Sequence, residues 1–202
     1  MRSKSWVALA LVLVCATSLL AQSSDQQQQQ MTPEQKAQMD AWMKYMTPGE
    51  GHKALAHMIG TWDAKVSMWQ SPSAPPQVST GTSVNSWVLG NRFVQEKFSG
   101  TFMGMPFEGM GYTGYDNAKK QYIGTWMDNM STGMMLSTGT SSDSGKSYTF
   151  KSTMTDPVSG KDSPGETRVT VADADHHTME MWGPDKDGKM VKMMQIEYSR
   201  KK

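Results

Sequence analysis

The stretch from Phe107 to Met130, FEGMGYTGYDNAKKQYIGTWMDNM, limits the fold more than any other part of the chain. Its side chains alternate with a period of two, the period of a strand and not of a helix. Phe107, Gly109, Gly111, Thr113 and Tyr115 fall on one parity, and after a break Tyr122, Gly124, Trp126 and Asp128 form a second such set. Between the two sets Asp116-Asn117-Ala118-Lys119-Lys120 is a turn, because Asp and Asn bond their own backbone and tolerate left-handed angles. The stretch is therefore a hairpin, and glycines spaced along both arms suit a strongly bent sheet.

The same period runs through the rest of the chain from Gly60 onward. Trp62, Ala64, Val66 and Met68 alternate with Asp63, Lys65 and Ser67, and Pro72, Pro75 and Pro76 then break the pattern. Alternating segments resume over 77–89, 92–102, 131–141, 146–155, 165–172, 177–182 and 189–200, separated by short turns or loops such as Asp143-Ser144-Gly145 and Asp156 to Pro164. The sequence thus predicts about ten strands with no crossover long enough for parallel pairing. An antiparallel up-and-down β-barrel over 60–202 is the expected architecture, because closure removes the free edges such a sheet exposes. A sandwich is second choice, since long Greek-key connections are absent.

What precedes Gly60 is of a different kind. Met1-Arg2-Ser3-Lys4 is basic, Trp6 to Leu20 carries no charge, and Ala21 precedes a polar run. That is the pattern of a secretory signal peptide over 1–21, too short for a spanning helix, and it places the mature protein in the periplasm or outside the cell. A lipoprotein would instead begin at Cys15, but Val14 is bulkier than the small residue expected before it. Residues 22–31, rich in Gln, form a flexible tether. Two short helices are expected over 32–59. Thr32-Pro33-Glu34-Gln35 opens the first with a capping box, Met39, Trp42, Met43 and Met46 give it one apolar face, and Thr47-Pro48-Gly49-Glu50 opens the second.

Loss of Arg2 and Lys4 with the leader leaves 18 of the 20 basic residues against 19 acidic ones, a net charge of −1. That balance offers nothing to nucleic acid or to an anionic membrane, and no stable membrane insertion is expected after cleavage. The single cysteine lies in the leader, so neither a disulfide nor a Cys-based zinc site is available to the mature chain.

Gly60-Thr61-Trp62 on entry to the first strand resembles the Gly-x-Trp signature of lipocalins, in which the Trp packs at the closed end under a basic residue of the last strand. Arg200 stands where that partner belongs, so Gly60, Trp62 and Arg200 are the expected closure residues. More specifically, residues 47–201 resemble the DUF1579 family of exported bacterial proteins of unknown function. The resemblance is carried by GTWDAKVSMW, WVLGNRFVQEKFSG, GYTGYDNAKKQYIGTWMDNMSTGMM, DPVSGK, HTMEMWGPDKDGK and IEYSRK. It implies a lipocalin-like barrel and no established activity.

A barrel of this size can enclose one small ligand or fill with its own side chains. Polar and aromatic residues at strand centres are the candidates to meet a small apolar or amphipathic molecule. They are Arg92, Glu96, Tyr112, Trp126, Asp128 and Met181, with Arg92 holding an acidic head group, or pairing with Glu96, and Tyr112 and Trp126 walling it. The duller reading puts these residues on the solvated face. No cofactor is expected and catalysis is the less favoured reading; a hydrolase or isomerase would draw on Asp128, Glu96 or His177 as acid or base. Nineteen methionines besides Met1, with His176-His177 beside Met179 and Met181, raise copper(I) as a further reading, against the plainer one that Met fills irregular apolar space. No histidine spacing matches a zinc set, and a purely structural or interaction module completes the alternatives.

Overall fold

The computed structural model describes residues 31–202, so the expected leader and all but the last residue of the tether lie outside the described residues. The described chain divides after Met43 into two units.

Helix α1 (Pro33–Met46) begins as its sequence dictates. Thr32 N–H donates to Gln35 Oε1 at 2.9 Å and Gln35 N–H donates to Thr32 Oγ1 at 3.2 Å, a reciprocal capping box. The second helical stretch departs from expectation. Thr47 is not its cap; Gly49 N–H donates to His52 Nδ1 at 3.1 Å instead. Helix α2 (Glu50–Lys53) is one turn that passes straight into a 3-10 turn at Ala54–Met58, because Ala54 N–H bonds back to Glu50 and His52 carbonyls. Taken together, Pro33 to Met58 is one helical segment of 26 residues in joined pieces, bent at 47–49, where two short helices were expected.

From Gly60 ten strands follow: β1 (Gly60–Met68), β2 (Gln77–Val88), β3 (Phe93–Phe102), β4 (Met105–Asp116), β5 (Gln121–Asp128), β6 (Met135–Thr140), β7 (Ser147–Thr155), β8 (Asp162–Val171), β9 (His176–Pro184) and β10 (Met190–Arg200). Each pairs antiparallel with its neighbour in sequence, and β1 pairs with β10, closing the barrel. The expected up-and-down barrel is the observed one. Strand β8 starts at Asp162, inside the segment expected to be loop, where Thr155 Oγ1–H donates to Asp162 Oδ1 at 2.7 Å. Strand β6 starts later than expected, at Met135.

Turn chemistry follows the short-range signals. Asp116 Oδ1 accepts from the N–H groups of Ala118 and Lys119, and Asp185 Oδ1 from those of Asp187 and Lys189. Register then sorts side chains by face. Glu96 pairs with Gly111 and Gly111 with Trp126, so all three point inward together. Gln95, Tyr112 and Thr125 take the outer face by the same rule.

The interior has two parts. At the closed end Leu55 from the 3-10 turn, fully buried, packs with Val94, Tyr122 and Tyr148, and Tyr115, Phe150 and Val171 add to this plug. Running from the closed end toward the other, Trp62, Ala64, Val66, Phe98, Ile196 and Tyr198 form the buried centre, with Met68, Phe107, Trp126, Met179 and Met194 packed against it but only partly covered. Several glycines serve this packing rather than bending alone. A Cβ on Gly109 would meet Trp126 Cζ2 at 2.2 Å, and one on Gly139 would meet Phe150 Cδ1 at 2.6 Å. A bare strand lets a cross-strand aromatic lie flat along the wall.

Candidate functional site

The closed end is built around Trp62, which the alternation of β1 turns inward and which is 1 % exposed. Its indole N–H donates to Met58 O at 2.8 Å, and Asn85 Nδ2–H donates to the same carbonyl at 3.0 Å, satisfying both lone pairs. Arg200, opposite Trp62 in register, holds its guanidinium 4.1 Å from the indole ring. That group also donates to Ile59 O at 2.8 Å, to Ala174 O and to Asp175 Oδ1. Gly60, at φ 138°, leaves the space: a Cβ there would lie 2.3 Å from Arg200 Nη1.

Two imidazoles sit against this floor. His57 Nδ1–H donates to Ala54 O at 2.8 Å, which leaves Nε2 buried without a partner. His177 stacks on Tyr198 with ring centroids 4.4 Å apart and presents its edge to Trp62, also at 4.4 Å, and its Nδ1 is likewise buried and unpartnered. Burial, then the nearby His57 and Arg200 charges, push His177 down to about 4. His57 is lowered too, chiefly by burial and less by Arg200. Both rings are neutral in the folded protein near pH 7.

One step further in lies a polar chain on β2 and β3. Ser83 Oγ is 2.7 Å from Glu96 Oε1 and 2.9 Å from Asn85 Oδ1. Asn85 Nδ2 is committed to Met58 O, so Asn85 presents its oxygen to Ser83. One hydroxyl proton cannot serve two acceptors. The arrangement is fully satisfied when Glu96 is the neutral acid, donating to Ser83 Oγ while Ser83 donates to Asn85. Burial acts in the same sense and raises the Glu96 carboxyl, opposed in part by its hydrogen bonds with Ser83 and Tyr198. Glu96 nonetheless keeps part of its surface uncovered although it points inward from mid-strand.

The residues singled out from sequence are distributed as follows. Trp126 and Asp128 face inward on β5, where the indole N–H donates to Asp128 Oδ2 at 3.0 Å and Asp128 Oδ1 accepts from Met130 N–H. Met181 faces inward on β9 opposite Met194. Arg92 is not with them. It precedes β3 at an exposed turn and donates to Met46 O at 2.6 Å and to Leu89 O at 3.2 Å, and it makes no pair with Glu96. Tyr112 stands on the outer face, where its hydroxyl accepts from Gln95 Nε2 at 2.7 Å. The neighbours His176 and His177 point to opposite faces, His176 out to Asp173 and His177 inward. Among the described residues no three His, Cys, Asp or Glu side chains gather as a metal set. Ser83, Asn85 and Tyr198 went unread in the sequence, although each lies on the parity of an inward Trp or Ala, which was the available signal.

Among the described residues, two of the concavities bear on the site. One of about 680 Å³ lies on the outer wall among Asp63, Lys65, Thr80, Thr82, Ser99 and Glu197, all outward-facing. The other, about 350 Å³, is at the barrel end that holds Trp126 and Asp128, and Met68, Ser79 and Phe102 contribute inward-facing side chains to it.

The sequence model of DUF1579, described as a protein of unknown function, matches residues 47–200. No curated protein matches the chain. Among solved structures, Rv2717c from M. tuberculosis superposes with a TM-score of 0.55 at 14% identity, over 77% of this chain and 100% of that one, a likeness of fold alone. A redesigned beta barrel is similar at a TM-score of 0.39 and 14% identity, covering 76% of this chain and 96% of its own. A DUF3598 protein of unknown function from Nostoc punctiforme has a TM-score of 0.22 at 8% identity, covering 76% and 100% of the two chains.

Proposed function

This chain belongs to the DUF1579 family, whose description assigns no activity, and from the barrel itself we propose that it binds a small apolar or amphipathic molecule in its interior. The observation that carries this reading is incomplete coverage inside a closed wall. Trp126, Met179 and Met181 all point into a ten-stranded barrel, yet each is only partly covered. Side chains that fill a bore cover one another, whereas these leave surface for a guest. Methionines and aromatics at that level suit a ligand of irregular apolar shape. Fold analogy adds no substrate.

The test is recovery of a ligand. Protein purified from its native host and gently denatured should release a recurring small molecule, identified by mass spectrometry. That molecule should also raise the melting temperature of the emptied protein by mass action. Repeated recovery of nothing, with no thermal shift across a panel of lipids, sterols and metals, overturns the proposal. We also propose export, on the basic start and short apolar run of residues 1–21. N-terminal sequencing of the mature protein should read from Gln22; an intact Met1 in the cytosolic fraction overturns it.

A further inference from the structure

The charges that face the interior are unbalanced in a way the binding proposal does not use. Among the described strand residues on the inner face, Glu96 and Asp128 carry carboxyls, and His177 is held neutral. Lys65, Lys97, Lys151, Arg168 and Lys192 all take the outer face by register. Arg200 alone is basic on the inner parity, and it is spent at the floor on Trp62 and backbone carbonyls. A fatty-acid-like carboxylate would therefore meet acid and no counter-charge.

Beside Glu96 lies a surface of the opposite preference. Gly111 separates Glu96 from Trp126 in register, and it has no side chain. The indole of Trp126 lies over Gly109 and Gly111, since a Cβ on either would fall within 2.2 Å of Cζ2 or 3.0 Å of Cε3. One ring face is thus against the wall and the other is toward the interior, across one intervening strand from Glu96 in register. An aromatic face attracts a cation through its quadrupole, and a carboxyl that can ionise completes the attraction.

We infer that the barrel takes an amphipathic organic cation, its ammonium group held between the Trp126 face and the Glu96 carboxylate and its chain among Met179, Met181 and Met194. This rests on the binding proposal and names the ligand class for it. Binding requires Glu96 to give up the proton it shares with Ser83, so cation binding is linked to release of that proton. Tyr198 and His177, which lie around Glu96, do not compete between pH 5.5 and 8. Tyr198 from β10 stays a neutral phenol, pushed well up by burial and by Glu96, and His177, stacked on Tyr198, stays a neutral ring. Asp128 on β5 is engaged by Trp126 and Met130.

Calorimetric titration of the full mature protein with dodecyltrimethylammonium, dodecanoate and dodecanol, each below its micelle-forming concentration, tests this. The quaternary probe has a fixed charge, so any pH dependence belongs to the protein. It should bind at least about ten-fold tighter than dodecanoate at pH 8, and weaken as pH falls to 5.5. Glu96→Gln, isosteric with the neutral acid, should cost the cation about ten-fold and leave dodecanol within about two-fold; Trp126→Leu should also weaken the cation. Dodecanoate binding as tightly as the cation, or an unchanged cation affinity in E96Q, overturns the inference while the binding proposal stands. Failure of all three probes to bind counts against both.

Discussion

His177 should make this protein acid-sensitive well above the range in which carboxylates titrate. In the unfolded chain its imidazole titrates near 6.5, whereas in the fold, between Trp62 and Tyr198 and near Arg200, it is pushed down to about 4. Between those values the unfolded state binds the proton and the folded state refuses it, so stability is full above pH 6.5 and declines as pH falls toward 4. At about 1.4 kcal/mol per pH unit, the full interval is worth roughly 3 kcal/mol, and the part above pH 5 roughly 2 kcal/mol. The perturbation is His177→Phe, which keeps the ring stack and removes the titrating nitrogens. Urea unfolding at pH 7.5 and pH 5.0 should show wild type losing roughly 2 kcal/mol more than the variant. Other groups do not imitate this. Asp143, Asp156 and Asp173 are lowered by hydrogen bonds from neighbouring residues and act below pH 4, and Glu96 acts with the opposite sign in both proteins. His57 is shared by the pair and cancels to the extent that its coupling to His177 is small. Equal losses in the two proteins, within about 0.5 kcal/mol, would refute the reasoning.

Glu96→Gln should leave stability near that of wild type at pH 4 and raise it at pH 8. The folded carboxyl is raised, so wild type is penalised as pH climbs from the unfolded value through the folded one; a variant less stable than wild type at pH 8 argues against a neutral Glu96. Arg200→Met should cost about 2–4 kcal/mol in urea melts, because it strips the guanidinium from Trp62 and leaves Ile59 O without its donor, and Arg200→Lys should recover only part. Gly109→Ala should cost about 1–3 kcal/mol by driving a methyl into the Trp126 ring, and the cost should shrink in a Trp126→Leu background; strictly additive losses would show that the ring does not occupy that space.

Local signals in the sequence were read correctly where the physics is itself local. The Thr32–Gln35 capping box, the Asp116 and Asp185 turns and the alternation of β1 each involve residues within a few positions, whose hydrogen bonds form whatever the rest of the chain does. Closure was legible as well, since ten period-two segments on short turns leave little but sequential pairing. Arg92 shows where such reading stops. Counting four residues back from Glu96 gives the right parity, but the strand begins only at Phe93, and the left-handed Asn91 (φ 62°) has already turned the chain. Tyr112 fails for the complementary reason: Gly111 and not Tyr112 is the register partner of Trp126, so Tyr112 belongs to the other face.

The sequence alone determined a count of about ten strands, their sequential antiparallel order and the inward placement of Trp62, because alternation is a property of each strand by itself; it left open which face of the sheet Glu96 and Trp126 take, and register decided that. The grouping of Ser83, Asn85, Glu96 and Tyr198, the loss of partners at His57 Nε2 and His177 Nδ1, and the Trp126 ring lying over Gly109 were decided only by tertiary structure. Those contacts join β2, β3, β10 and the 3-10 turn, or β4 and β5, and they depend on register and on which residue leaves its neighbour room. Neither is written within reach of any one segment.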